Sequence, residues 1–225
     1  MSHLEIDNPE PGTETPFLER YRRSVLLTVL VLLLLASPVI DDEGAGGFML
    51  SALFTLVLIV GALAIGRVRR DFFVVVALSV PWLYLTWLHP VWSGSVLDEL
   101  SSVILVVCTL YLAGVLLASV VTAKTVTSDV LGGAIAVYLL IGIAWAVIYA
   151  LIEGLSPGSF AIAEAGKGTI WDQLLYFSFT TLTTLGYGDI SPLTPVARIW
   201  AVFEAICGTF FLAILISRLV SLYKA

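Results

Sequence analysis

The sequence predicts an all-α integral membrane protein with six transmembrane helices and a re-entrant half-helix between the fifth and sixth. Three observations predict it. Hydrophobic residues make up 59% of the 225 and charged residues only 12%, against about 45–50% and about 25% in a soluble domain. Six charge-poor segments of 17 to 23 residues, at 24–40, 48–66, 72–88, 101–123, 130–152 and 199–217, take up most of the chain. Each approaches the roughly 20 residues an α-helix needs to cross a hydrocarbon core of about 30 Å. Finally, 153–198 is too long for a turn, and its apolar stretch is too short to cross.

Residues 1–23 begin with a run rich in Glu, Pro, Gly and Thr that cannot bury enough apolar surface to order itself, and are expected to form a flexible cytoplasmic N-terminal tail. Five of the six segments hold no Asp, Glu, Lys or Arg. Arg20, Arg22 and Arg23 precede the first, Arg67, Arg69 and Arg70 separate the second and third, Lys124 follows the fourth, and Arg218 and Lys224 follow the last. The positive-inside rule puts these basic residues, and with them both termini, in the cytoplasm. The expected location is a plasma (inner) membrane, with lipid as the surrounding partner. The first segment lacks a small-x-small cleavage site and reads as a retained helix rather than a signal peptide.

Short connections make 24–123 one four-helix module. A linker from Lys124 to Asp129 leads to the second module, 124–225, whose Gly132, Gly133 and Gly142 let neighbouring helices approach closely. Cys108 and Cys207 fall inside apolar spans and carry no functional signal.

Residues 171–183 give a 13-residue helix, about 20 Å long, which reaches roughly halfway into a membrane and must return. Thr169 and Asp172 form a candidate capping box at its start. The chain beyond it, Thr184 to Asp189, is non-helical backbone at membrane depth, tolerated only where protein buries it or where it lines a water-filled path.

Residues 183–189, Thr-Thr-Leu-Gly-Tyr-Gly-Asp, resemble the selectivity-filter signature of potassium channels. The resemblance covers about 129–221, and the four preceding spans match the voltage-gated branch in number and topology alone. It implies that the backbone carbonyls of Thr184, Leu185, Gly186 and Tyr187 ligate K+ as the permeant ion, with the Thr184 hydroxyl adding the innermost ligand. Filter residues 184–188 would be supported by Thr183, Gly188 and Asp189, and Asp189 would hydrogen-bond Tyr176 on the pore helix. Gly186 and Gly188 suit a strand that alternates between ordinary and positive φ. Tyr187 would pack into an aromatic cuff of Tyr176, Phe177 and Trp171. One motif per chain implies a homotetramer. No organic cofactor, nucleic-acid partner or catalysis is expected.

Two residues of the sixth span are gating candidates. Gly208 reads either as a hinge or as a small residue at a helix crossing. Glu204, the single acid inside any span, is costly enough there to be a functional candidate, or else a satisfied structural partner. It is expected to brace the filter from behind through Ser178, Thr180 or Thr181 and to make conduction pH-sensitive. The fourth segment holds no Lys or Arg, so the four-helix module is expected not to be a voltage sensor of the usual kind. No cytoplasmic ligand-binding domain is expected after the last span. Alternative readings are a non-selective cation channel, or a non-conducting scaffold or regulatory subunit on a channel fold.

The net charge of -6 divides unevenly on this topology. Outward loops hold nine acids and two bases, and the inner side nine bases and seven acids. An acidic outer face would concentrate cations at the entrance.

Overall fold

The computed structural model describes residues 22–39, 45–65, 69–88, 95–162 and 169–223. The expected N-terminal tail, apart from Arg22 and Arg23, lies outside the described residues.

Among the described residues, seven α-helices follow in order: α1 Arg22–Ala36, α2 Ala45–Ala64, α3 Arg69–Leu88, α4 Ser95–Val121, α5 Ser128–Leu155, α6 Ile170–Leu182 and α7 Pro195–Tyr223. A short 3-10 turn, Ser37–Val39, continues α1 around Pro38. Four of these helices hold stretches long and apolar enough to cross a membrane: Gly46–Ala64, Val96–Val121, Ser128–Leu155 and Pro195–Arg218. α1 is only 15 residues long, whereas α3 opens on Arg69, Arg70 and Asp71 and contains Pro81. That proline removes one ladder hydrogen bond and favours a bend.

The all-α expectation misses one detail. Strand β1, Phe160–Ile162, pairs antiparallel with β2, Ile190–Pro192, with Ala161 opposite Ser191. Three residues per strand are too few for a period-2 pattern to register in sequence. The ribbon nevertheless fastens the segment directly after Asp189 to the chain that leaves α5.

The core lies where α1 and α4 pack on α5, with α2 against α1 and α4. Leu26, Leu30 and Leu33 repeat at helical spacing along one face of α1 and are buried together with Leu112, Leu116, Leu140 and Ile143. Glycine permits the tightest approaches. A Cβ on Gly61 would meet Leu112 Cδ2 at 2.4 Å, and one on Gly133 would meet Arg23 Cδ at 2.7 Å.

The start of α5 is built as its sequence indicates. Thr127 caps the helix, its hydroxyl accepting from the Val130 amide at 3.3 Å. Asp129 accepts from the Arg23 amide at 3.1 Å and pairs with the Arg23 guanidinium at 3.6 Å, joining the starts of α1 and α5. At the other end of the sequence, Arg218 on α7 donates to the carbonyls of Val121 at 3.1 Å and Ala123 at 3.3 Å. The first is among the carbonyls that the end of α4 leaves without helical partners, and the second lies two residues beyond it. Six residues, 122–127, separate α4 from α5, and the two helices pack side by side.

Candidate functional site

The site is α6 and the loop that leaves it, held between α5 and α7. α6 starts at a complete capping box: the Thr169 hydroxyl accepts from the Asp172 amide at 3.1 Å, and Asp172 accepts from the Thr169 amide at 3.2 Å. The second carboxylate oxygen of Asp172 accepts from Ser37 Oγ at 3.0 Å, linking the end of α1 to the start of α6. The helix runs for 13 residues to Leu182, and Thr183 caps it.

Beyond Thr183 the backbone turns back on the helix. The amides of Leu185 and Gly186 both donate to the Thr180 carbonyl, at 2.8 and 3.1 Å, and that of Thr184 donates to the Thr181 carbonyl at 2.9 Å. Three consecutive amides are therefore spent on carbonyls of the last helical turn. Along the same stretch φ is positive at Thr184 (58°), Gly186 (52°) and Gly188 (81°), whereas Leu185 and Tyr187 have ordinary φ. The alternation extends to Thr184, a residue that pays a steric cost in the left-handed region. A Cβ at Gly186 or Gly188 would meet nothing within 4 Å. Conformation, rather than space within this chain, is what calls for glycine at those two positions.

Residues 183–189 are all exposed in the single chain. Tyr176 donates to Asp189 Oδ2 at 2.8 Å, and Asp189 Oδ1 accepts from the Ile190 amide at 3.1 Å. The far end of the loop is thereby tied both to α6 and to β2. Glu153, in the last turn of α5, steadies the neighbouring turn by accepting from the amides of Gly158 at 2.7 Å and Phe160 at 3.2 Å.

The expected aromatic cuff does not form within the chain. Tyr187 is 69% exposed. Trp171 faces the bundle instead, edge-on to Phe54 at 5.5 Å, and Phe177 packs against Tyr149 and Phe160 at 5.1 and 5.4 Å. Consecutive residues of α6 point to different helix faces, so these two aromatics reach the chain's own core and leave Tyr187 uncovered.

Behind the loop, Glu204 is completely buried. Ser178 Oγ lies 2.6 Å from its Oε1, and Tyr149 Oη donates to its Oε2. Of the three partners expected from the sequence, only Ser178 reaches it. Thr180 donates instead to the Phe177 carbonyl at 3.0 Å. Ser178 Oγ also lies 2.7 Å from the Gly142 carbonyl, and Tyr138 Oη donates to the Leu182 carbonyl at 3.3 Å. Sequence reasoning missed Tyr138 and Tyr149 as site residues. Their signal was a shared face of the fifth span with Gly142, from which they lie four and seven residues away.

Glycine brings the flanking helices close. A Cβ on Gly142 would meet the Phe179 ring at 2.7 Å, and one on Gly208 would stand 2.1 Å from the Leu182 carbonyl oxygen. Gly208 thus lies where α7 crosses the last turn of α6.

A family model described as "Ion channel" matches residues 136–225, the part of the chain that holds this site. The rice (Oryza sativa subsp. japonica) two pore potassium channel c is 40% identical over 65 residues, which are 29% of this chain and 14% of that protein. Two-pore potassium channel 5 of Arabidopsis thaliana is 51% identical over 47 residues, 21% of this chain and 12% of that protein. Potassium channel protein kcv of Paramecium bursaria Chlorella virus 1 is 31% identical over 78 residues, 35% of this chain and 82% of the viral protein. The chain belongs to the potassium channel family. It spans only a small part of the plant channels it matches, yet it contains the counterpart of most of the viral one. No solved structure matches this potassium channel family member. With its long apolar helices, it is an integral membrane protein of the ion-channel class.

Proposed function

We propose that the chain is one subunit of a homotetrameric, potassium-selective channel that passes K+ down its electrochemical gradient without catalysis. The observation that carries this reading is the φ alternation at Thr184, Gly186 and Gly188, with the amides of 184–186 turned back to α6. Backbone whose amides are occupied on one side has its carbonyls free for the other. Rings of such carbonyls can replace the water shell of a permeating cation. The proposed ligands are the carbonyls of Thr184, Leu185, Gly186 and Tyr187, with the Thr184 hydroxyl innermost. Thr183, Gly188, Asp189 and Tyr176 support them.

Fourfold assembly follows from one motif per chain and from the exposure of that motif. Tyr187 needs cover that a neighbouring subunit would supply, and so do Phe203, Ile206 and Phe210 on α7. In the bilayer, α1 to α4 would form the four-helix module at 24–123, and α5, the re-entrant α6 and α7 the pore module at 124–225. Both termini would lie in the cytoplasm below a plasma membrane. Tyr187 and both filter glycines favour selectivity over a non-selective pore.

The test is K+ flux through the full chain in liposomes, with barium block and Gly186→Ala as the control. Reversal potentials in mixed potassium and sodium should follow the potassium gradient. Equal permeability would leave a non-selective cation channel, and no flux from folded protein would leave the scaffold reading.

A further inference from the structure

Glu204 is fully buried, and the hydrogen bonds around it can be counted proton by proton. Tyr149 brings one proton and donates it to Oε2. Ser178 brings one hydroxyl proton but makes two short contacts, 2.7 Å to the Gly142 carbonyl and 2.6 Å to Glu204 Oε1. A carbonyl oxygen has no proton to give, and an ionised carboxylate has none either. If Glu204 were ionised, the single Ser178 proton would have to be shared between two acceptors, leaving each bond weaker. Each contact has a proton of its own only if the Ser178 proton goes to Gly142 and Glu204 supplies a proton to Ser178.

The surroundings agree. Facing Glu204 from α5 are Tyr149 and Tyr138, the latter bonded to the Leu182 carbonyl. On α6 the ionisable residues are engaged elsewhere, Asp172 with Thr169 and Ser37 and Tyr176 with Asp189. On α7 itself, Arg198 donates to the Pro192 carbonyl, and Cys207 is exposed. Among the described residues no cation reaches the carboxyl. A buried carboxylate without a cation costs several kcal/mol more than the neutral acid.

We propose that Glu204 is held as a neutral carboxylic acid, the central link of a relay from Tyr149 through Glu204 and Ser178 to the Gly142 carbonyl. This makes it a positioning residue that fastens α6 to both α5 and α7. Its effect on conduction rests on the channel reading above, whereas its protonation does not. Removing the proton weakens the Ser178 link, so the support behind the loop loosens as the solution becomes alkaline.

Infrared spectroscopy of the full chain in liposomes reads the proton directly. Wild type at neutral pH should show the carbonyl stretch of a protonated carboxyl that is missing from Glu204→Gln, and Ser178→Ala should shift it by removing its acceptor. Absence of that band, or a band unmoved in Ser178→Ala, overturns the proposal. In flux measurements Glu204→Gln keeps a donor toward Ser178 and an acceptor toward Tyr149. It should hold K+ over Na+ preference within about twofold of wild type and lose the alkaline sensitivity, whereas Glu204→Ala should lower the preference about tenfold. A Gln variant as impaired as the Ala variant would also overturn it. Liposomes that pass no ions but show the expected bands would sink the channel reading and leave the protonated relay standing.

Discussion

The two halves of the molecule are held together by different chemistry. In α1 to α4, side-chain hydroxyls such as those of Thr28, Ser79 and Thr109 mostly bond the carbonyl one turn back in their own helix. Among the described residues, side-chain bonds between these helices include Trp87 to Thr55 and Tyr111 to Asp71. The remaining adhesion is apolar, Leu against Leu and Gly61 beneath Leu112. Around α6 several polar side chains instead reach another element: Ser37 to Asp172, Tyr176 to Asp189, Tyr138 to the Leu182 carbonyl, and Tyr149 and Ser178 to Glu204. A bundle has only to stay packed in lipid, and packing tolerates small shifts. A loop with a threonine at positive φ must be held in a conformation it would otherwise leave, and directional bonds do that.

This contrast makes predictions, from the largest effect to the smallest. Leu112→Ala should empty a fully buried site in the bundle and cost about 2–5 kcal/mol. Thermal unfolding should register that loss while reversal potentials stay unchanged; a change in selectivity would erase the distinction between the halves. Gly208→Ala places a Cβ 2.1 Å from the Leu182 carbonyl oxygen. The end of α6 must then move at a cost of about 1–3 kcal/mol, and here selectivity should fall together with stability. Tyr176→Phe removes the 2.8 Å bond to Asp189, worth about 0.5–1.5 kcal/mol. Single-channel records should show shorter openings with little change in melting temperature. Last, α4 contains no Lys or Arg. Each elementary charge moved through 100 mV is worth about 2.3 kcal/mol, so without such charges open probability should vary only shallowly with voltage. Steep activation would contradict the view that α1 to α4 only pack.

Local patterns made much of this legible beforehand. The helix expected at 171–183 is α6, Ile170–Leu182, and its capping box is present because both partners lie within four residues. The glycine contacts expected of the fifth span are present too. Contacts across long sequence separations were not legible. Tyr149 meets Glu204 from 55 positions away, and no periodicity announces such a pair. Glu204 drew notice through its rarity in an apolar span, which revealed that it needs partners without saying which. The aromatic cuff does not form within one chain for a further reason. Residue type marks Trp171 and Phe177 as suitable, but the turn of α6 decides which way each faces, and both turn inward.

The guanidinium of Arg218 has a consequence in time. It occupies the Val121 carbonyl across 97 positions of sequence, so the end of α4 must wait for that much more chain to be made. At about 5–20 residues per second the interval is roughly 5–20 s. Once α5 is complete at residue 155, α4 and α5 can lie side by side for the rest of that interval with one end unsealed. Helix α7, made after both, acts as the latch, and a ribosome stalled before residue 218 would leave that end of the bundle open.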